Sequence, residues 1–241
     1  MSGTWFIFRR EVVQYFTSPL AYTVAFAILV ITGFLFIGDL TTALTLRPAN
    51  AAVVPAFLSF AMIVFAPILT MRLLAEETRE GTLELLLTAP ISDTQIVLGK
   101  FLGAWFYYSV VLLVTFSYQI ILITITRPDM GHAISAYLGI WLYGGATLAV
   151  GMVFSALSEN QIVAAFLTFA TLLLLWFAEY AAQIVGTVEL AQVIRQLTLG
   201  GHFNTSFGVG IIRLEDIVYY AGIIVVALFV AIRVVESQRW R

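Results

Sequence analysis

Long apolar runs alternate with short polar breaks along most of the chain. Transmembrane helices need about 20 mostly apolar residues, and six runs qualify, at about 19–37, 51–71, 101–125, 136–157, 160–178 and 217–232. Pro55 and Pro67 lie inside the second. The fourth contains GGATLAVG, whose small residues suit close helix packing. The pattern predicts an all-α polytopic membrane protein, one six-span domain over 1–241. The first run begins late, and no small-residue cleavage motif precedes a polar domain, so it reads as a retained span rather than a signal peptide.

Three stretches outside the spans carry information. Before the first span, a helix over 4–17 would place Trp5, Phe8, Val12 and Phe16 on one face, with Arg10, Glu11 and Gln14 opposed. Arg9 falls near the apolar face and can snorkel. Such a helix lies in the interface plane, either as a plain anchor or as an elbow bracketing a docked partner. The second stretch, 72–100, divides into a charged helical turn over Ala75 to Glu80, an apolar helix through Thr82 to Leu87, a break at Ala89–Pro90 and another helix from Ser92. Ser92 and Gln95 have capping-box spacing. Glu76, Glu77, Glu80 and Glu84 form an acidic cluster with Arg72 and Arg79 interleaved. The Glu80/Glu84 pair repels at i,i+4, a cost that a partner's basic residues would offset. This stretch is either a solvated charge run or a displayed docking surface. The third stretch, 179–216, is broken repeatedly by glycine and reads as a cap of two short helices over the outer end of the bundle.

Composition agrees with the pattern. Hydrophobic residues make up 61% and charged residues 11%, against about 25% charged in a typical soluble chain. A soluble enzyme or a disordered chain is excluded on that ground. The net charge is −2 with no basic stripe, so nucleic acid is not an expected partner. With six spans the termini share a side. That side carries Arg9, Arg10, Arg72, Arg79, Lys100, Arg233, Arg239 and Arg241, against Arg47, Arg127, Arg195 and Arg213 on the other. The excess places both termini in the cytoplasm of a multi-pass plasma-membrane protein.

The chain is poor in catalytic chemistry. Cysteine is absent, which removes thiolate catalysis and sulfur-ligated metals. No G-x-x-x-x-G-K-[ST] or dinucleotide fingerprint occurs. His132 and His202 are the two histidines, both in expected external loops and without metal-ligand spacing. Glu159 and Glu179 fall at span ends, where an interfacial role fits better than a proton relay. No catalytic, cofactor-binding or metal residue is assigned.

The run EETREGTLELLLTAPISDTQIVLGK resembles the cytoplasmic loop of type-2 ABC exporter permeases through Glu76, Glu77, Arg79, Gly81, Thr82, Glu84, Leu86, Leu87, Pro90, Ile91, Ile96, Gly99 and Lys100. A second patch is similar to the entry to the last span in gliding-motility-associated and multicopper-enzyme-maturation-associated ABC permeases. His202, Phe203, Phe207, Gly210, Asp216 and Tyr219 carry it. The opening FRREVVQYFTSPLAY and the six spans agree with that family as well.

The resemblance implies the membrane subunit of an ABC transporter in the bacterial inner membrane. It implies two copies of a separate ATPase, which would bind ATP and Mg, and a second permease copy or paralogue. A separate extracytoplasmic auxiliary subunit is a further possible partner, and membrane lipid surrounds the spans. Residues 4–17, with Trp5, Phe8, Arg9, Arg10, Val12 and Phe16, would be the elbow helix, and 76–98 the coupling loop. Glu76, Glu77 and Glu80 would meet the ATPase, and Thr82, Leu83, Leu86 and Leu87 would fill its groove. Gly81 would turn the chain and Pro90 would end the first helix. Lys100 would sit at headgroup level. The implied function is coupling of ATP hydrolysis to export or force transmission. The alternatives are a non-transporting scaffold or assembly factor and, further off, a membrane enzyme or ion-coupled carrier.

Overall fold

The computed structural model describes residues 3–44, 49–82, 91–126, 128–184 and 188–238. Among the described residues the regular elements are helices: α1 (Gly3–Thr17), α2 (Pro19–Ala43), α3 (Val53–Thr70), α4 (Ala75–Glu80), α5 (Asp93–Thr115), α6 (Ser117–Ile125), α7 (Met130–Leu157), α8 (Gln161–Ile184), α9 (Val188–Leu197), α10 (Leu199–Thr205) and α11 (Leu214–Gln238), with a 3-10 turn at Phe207–Val209. Among the described residues six helical segments are long and apolar enough to cross a membrane: α2, α3 with α4, α5 with α6, α7, α8 and α11.

The helices outrun the apolar runs. α7 begins at Met130 rather than near 136 because Asp129 caps it, its Oδ1 accepting from the backbone N–H groups of Gly131 (2.9 Å) and His132 (3.2 Å). That satisfies donors a helix start leaves orphaned. α5 begins at Asp93. The Ser92 hydroxyl accepts from Gln95 N–H and the Gln95 side chain accepts from Ser92 N–H, so the capping box is present. The helix that the sequence pattern placed in the loop after Ser92 is therefore the first part of the third span. Backbone hydrogen bonding carries a helix on until a cap or breaker stops it, whereas hydropathy sees only the lipid-soluble middle.

That span breaks at Phe116, between α5 and α6. The Tyr137 hydroxyl donates to the Thr115 carbonyl (3.0 Å) and the Gln119 amide donates to the Ala51 carbonyl (2.8 Å). A side chain inserted at a helix break satisfies a carbonyl that lipid cannot.

α7 is the core of the bundle. Its most apolar window is 72% buried, against 17% for the fifth span, α8. It packs on α3, α5, α8 and α11. Gly144 lies against the Tyr108 ring and Gly151 against Thr70, places where a side chain would collide. In lipid, helix association rests on such close van der Waals contact. α1, α4 and the start of α5 gather at one end of the bundle, together with the end of α11, whose Gln238 amide reaches the Ala156 carbonyl. α9, α10 and the 3-10 turn cover the opposite end.

Candidate functional site

The end carrying α1 holds a buried charge knot. Lys100, on the second turn of α5, is 2% exposed. Its Nζ lies 2.8 Å from Glu11 Oε1 and 3.0 Å from Glu77 Oε1. Arg10 donates to the same Glu77 oxygen and lies 3.2 Å from Glu11. Two cations and two carboxylates from α1, α4 and α5 thus neutralise one another. Burial alone would lower the Arg10 pKa, but Glu77 and then Glu11 outweigh it and raise it. Burial, reinforced by Glu11, pushes the neighbouring Tyr15 hydroxyl well above its ordinary value. Tyr15 donates to the Leu69 carbonyl at the end of α3 (2.7 Å).

Small residues make this contact possible. Gly99 and Gly103, in GKFLG, are four apart on α5 and face α1. A Cβ on Gly99 would stand 2.7 Å from the Ile7 Cβ, and one on Gly103 2.6 Å from the Glu11 Cβ. This is the G-x-x-x-G device for close helix approach. That spacing is the signal the sequence carries for this interface. Ser155 has a role that no local pattern marks. The Ser155 hydroxyl accepts from the N–H groups of Leu74 (3.0 Å) and Ala75 (3.2 Å) and donates to the Met71 carbonyl (3.3 Å). The start of α4 lacks a side-chain cap of its own, so α7 supplies it.

The knot changes how the expected site residues lie. On α1, Arg10 and Glu11 were placed on a polar face opposed to the apolar one. Glu11 is instead 3% exposed and turns into the protein toward Lys100, while Arg10 stays exposed and reaches Glu77 from the rim of the knot. Trp5 remains half exposed. Phe8 packs edge-on to Phe106 and Phe16 edge-on to Tyr107. Val12 is half-buried and Arg9 exposed. On α4, Glu77 turns inward to Arg10 and Lys100, while Arg79 and Glu80 are exposed and Glu76 and Arg72 line a cleft of about 260 Å³ against α1. Gly81 ends α4 with φ +70°, the left-handed conformation glycine adopts without a Cβ penalty. Thr82 donates to the Glu77 carbonyl (3.4 Å). Lys100 is buried inside the knot, its ammonium held by Glu11 and Glu77. Leu83, Glu84, Leu86, Leu87 and Pro90 lie outside the described residues.

At the opposite end the second patch is brought together. His202 Nδ1 lies 2.5 Å from Asp216 Oδ1 and Nε2 lies 3.0 Å from the Gln196 carbonyl. The ring stacks on Tyr219 at 3.7 Å. Phe203 and Phe207 are fully buried. Gly210 has φ +90° and packs against His132, whose Nε2 contacts the Gly208 carbonyl (2.8 Å). Asn204 donates to Glu179 Oε1 (2.6 Å). The two histidines tie backbone and carboxylate into a cap, and among the described residues no His/Cys/Asp/Glu group has the geometry of a metal site.

A bundle of six helices long and apolar enough to span lipid, with a folded cap at one end and a charge knot at the other, defines a polytopic membrane protein. Residues 41–235 match the family model described as ABC-2 family transporter protein, and the chain belongs to that family. It is similar to the "Probable ABC transporter permease protein NosY" of Pseudomonas aeruginosa, 31% identical over 164 residues. The alignment covers 66% of this chain and 58% of that relative, less than two thirds of its length. α1 falls before the matched region, yet it carries half of the charge knot.

Proposed function

We propose that this permease couples ATP hydrolysis by a separate ATPase to export, or to force transmission, across the bacterial inner membrane. The observation that carries the reading is the knot of Arg10, Glu11, Glu77 and Lys100. It binds α4, which precedes residues 83–90, to α5, which follows them, and to α1. A push delivered between Gly81 and Ser92 therefore acts on a unit fixed at both its ends. A braced element of this kind transmits rigid-body motion into the bundle without moving charge through lipid.

In this reading both termini are cytoplasmic, Glu76, Arg79, Glu80 and Thr82 face the ATPase, and Leu83, Glu84, Leu86, Leu87 and Pro90 complete the docking segment. Glu77 braces that segment from behind. Two ATPase copies serve two permeases, this chain and a second copy or paralogue, and a separate extracytoplasmic subunit would rest on the α10 end. ATP and Mg belong to the ATPase. α1 acts as the elbow.

The test is purification of the tagged chain from its native membranes. A P-loop ATPase is expected to co-purify and to hydrolyse ATP, and Glu80→Lys combined with Leu86→Ala is expected to release it. An intact complex in that variant would overturn the docking assignment. Absence of any ATPase from the wild-type preparation would overturn the coupling itself.

A further inference from the structure

The α10 end contains a pocket of about 380 Å³ whose lining includes Arg195, His202, Arg213, Glu215, Asp216 and Tyr219. Asp216 is 3% exposed. Its Oδ1 meets His202, but its Oδ2 is buried without a hydrogen-bond partner. Buried acceptors are nearly always satisfied, so a donor is missing here. Nearby, Arg195 has no ion-pair partner among the described residues. Among the described residues Arg213 pairs with Glu215 alone, at 3.4 Å in an exposed pair, which holds it weakly.

The pocket continues into the span. Val218 and Tyr219 also line an apolar groove of about 500 Å³ that runs along α11 past Gly222 and Val226, with Val150 of α7 on its other wall. Val218, Gly222 and Val226 recur every four residues, so they form one stripe. From Asp216 to Val226 the helix rises roughly 15 Å, about half of a 30 Å hydrocarbon core. A Cβ on Gly222 would meet nothing within 4 Å, so the groove is open there.

A charged head joined to an apolar trough one leaflet deep fits one kind of ligand. We propose that this is a binding site for a phospholipid whose headgroup carries a primary ammonium. The phosphate lies between Arg195 and Arg213, the ammonium donates to Asp216 Oδ2 beside Glu215, and one acyl chain fills the trough. The charges decide the headgroup. The carboxylates of Glu215 and Asp216 match the two arginines, which suits a zwitterion better than an anionic lipid. A choline headgroup has no N–H to give Asp216.

Native mass spectrometry of the full chain in detergent tests this, with phosphatidylethanolamine, phosphatidylcholine and phosphatidylglycerol of identical acyl chains. Phosphatidylethanolamine is expected to bind about tenfold more tightly than either other lipid. Equal binding of phosphatidylglycerol or phosphatidylcholine would overturn the headgroup assignment. Gly222→Leu puts a side chain into the trough where its Cβ meets nothing within 4 Å, and it is expected to weaken phosphatidylethanolamine binding about tenfold, with unchanged thermal unfolding in lipid-free detergent. The pair Arg195→Ala and Arg213→Ala, both at exposed positions, is expected to do the same from the other end. Unchanged lipid binding in both variants would refute the site. Soluble phosphoethanolamine, which has the head without the tail, is expected to bind at least about a hundredfold more weakly. Comparable affinity would point to a small-molecule site and overturn the lipid assignment.

Discussion

The Lys100 ammonium and the Glu11 carboxylate meet at 2.8 Å although 89 residues separate them, and both are almost wholly withdrawn from solvent. An ion pair in such a place is weak support for stability as a whole, because desolvation offsets its attraction. Removing one partner is another matter, since it strands the other charge.

Lys100→Met leaves Glu11 and Glu77 facing each other with only Arg10 to balance them. The expected loss is about 3–5 kcal/mol, seen as a fall in the thermal midpoint of the detergent-solubilised chain followed by tryptophan fluorescence. Adding Glu11→Gln to Lys100→Met is expected to recover part of it. If the single variant melts with the wild type, the knot carries no structural weight.

Gly103→Leu places a side chain where Glu11 now packs, 2.6 Å from the first added carbon. Overpacking of this sort costs about 1–3 kcal/mol, and the element free to yield is α1. Protease cleavage within 3–17 should accelerate in this variant while the spans stay protected. Cleavage at the wild-type rate would mean that α1 is not held by this contact.

Ser155→Ala removes the acceptor for the N–H groups of Leu74 and Ala75. A buried donor left unsatisfied costs about 1–3 kcal/mol. The effect should be local, with faster amide hydrogen exchange at 74–80 and little change in α8. Uniform protection across both segments would argue against the capping role.

His202→Phe keeps an aromatic ring beside Tyr219 but loses the contacts to Asp216 and the Gln196 carbonyl. A hydrogen bond to a charged group contributes about 1.5–3 kcal/mol, so local opening over 196–210 should rise about tenfold or more. Hydrogen exchange reads this directly, and an unchanged pattern would leave the stack alone as the fastener of the cap.

How much was legible in the sequence varies with the range of the interaction. The six spans, the helix over Ala75–Glu80 and the Ser92/Gln95 box depend on neighbouring residues, and periodicity reports those. Span ends were less legible. Asp129 extends α7 by capping it, and a hydropathy pattern does not register a cap. The inward turn of Glu11 and Glu77 was not legible at all. On a helical wheel these residues form a polar face, which looks the same whether water or a buried lysine lies opposite.

By itself the sequence determined that this chain lives in a membrane, how many times it crosses, and which family's loop it carries. Those properties follow from transfer free energy and from local motif spacing, and both are readable along a line. Only the tertiary structure decided that Lys100 is a core residue, that Ser155 caps α4, and that a charged pocket and an apolar groove join on α11. Each of those joins segments far apart in the chain. Charges and polar groups withdrawn from water find their partners through packing, and packing is a property of the assembled bundle.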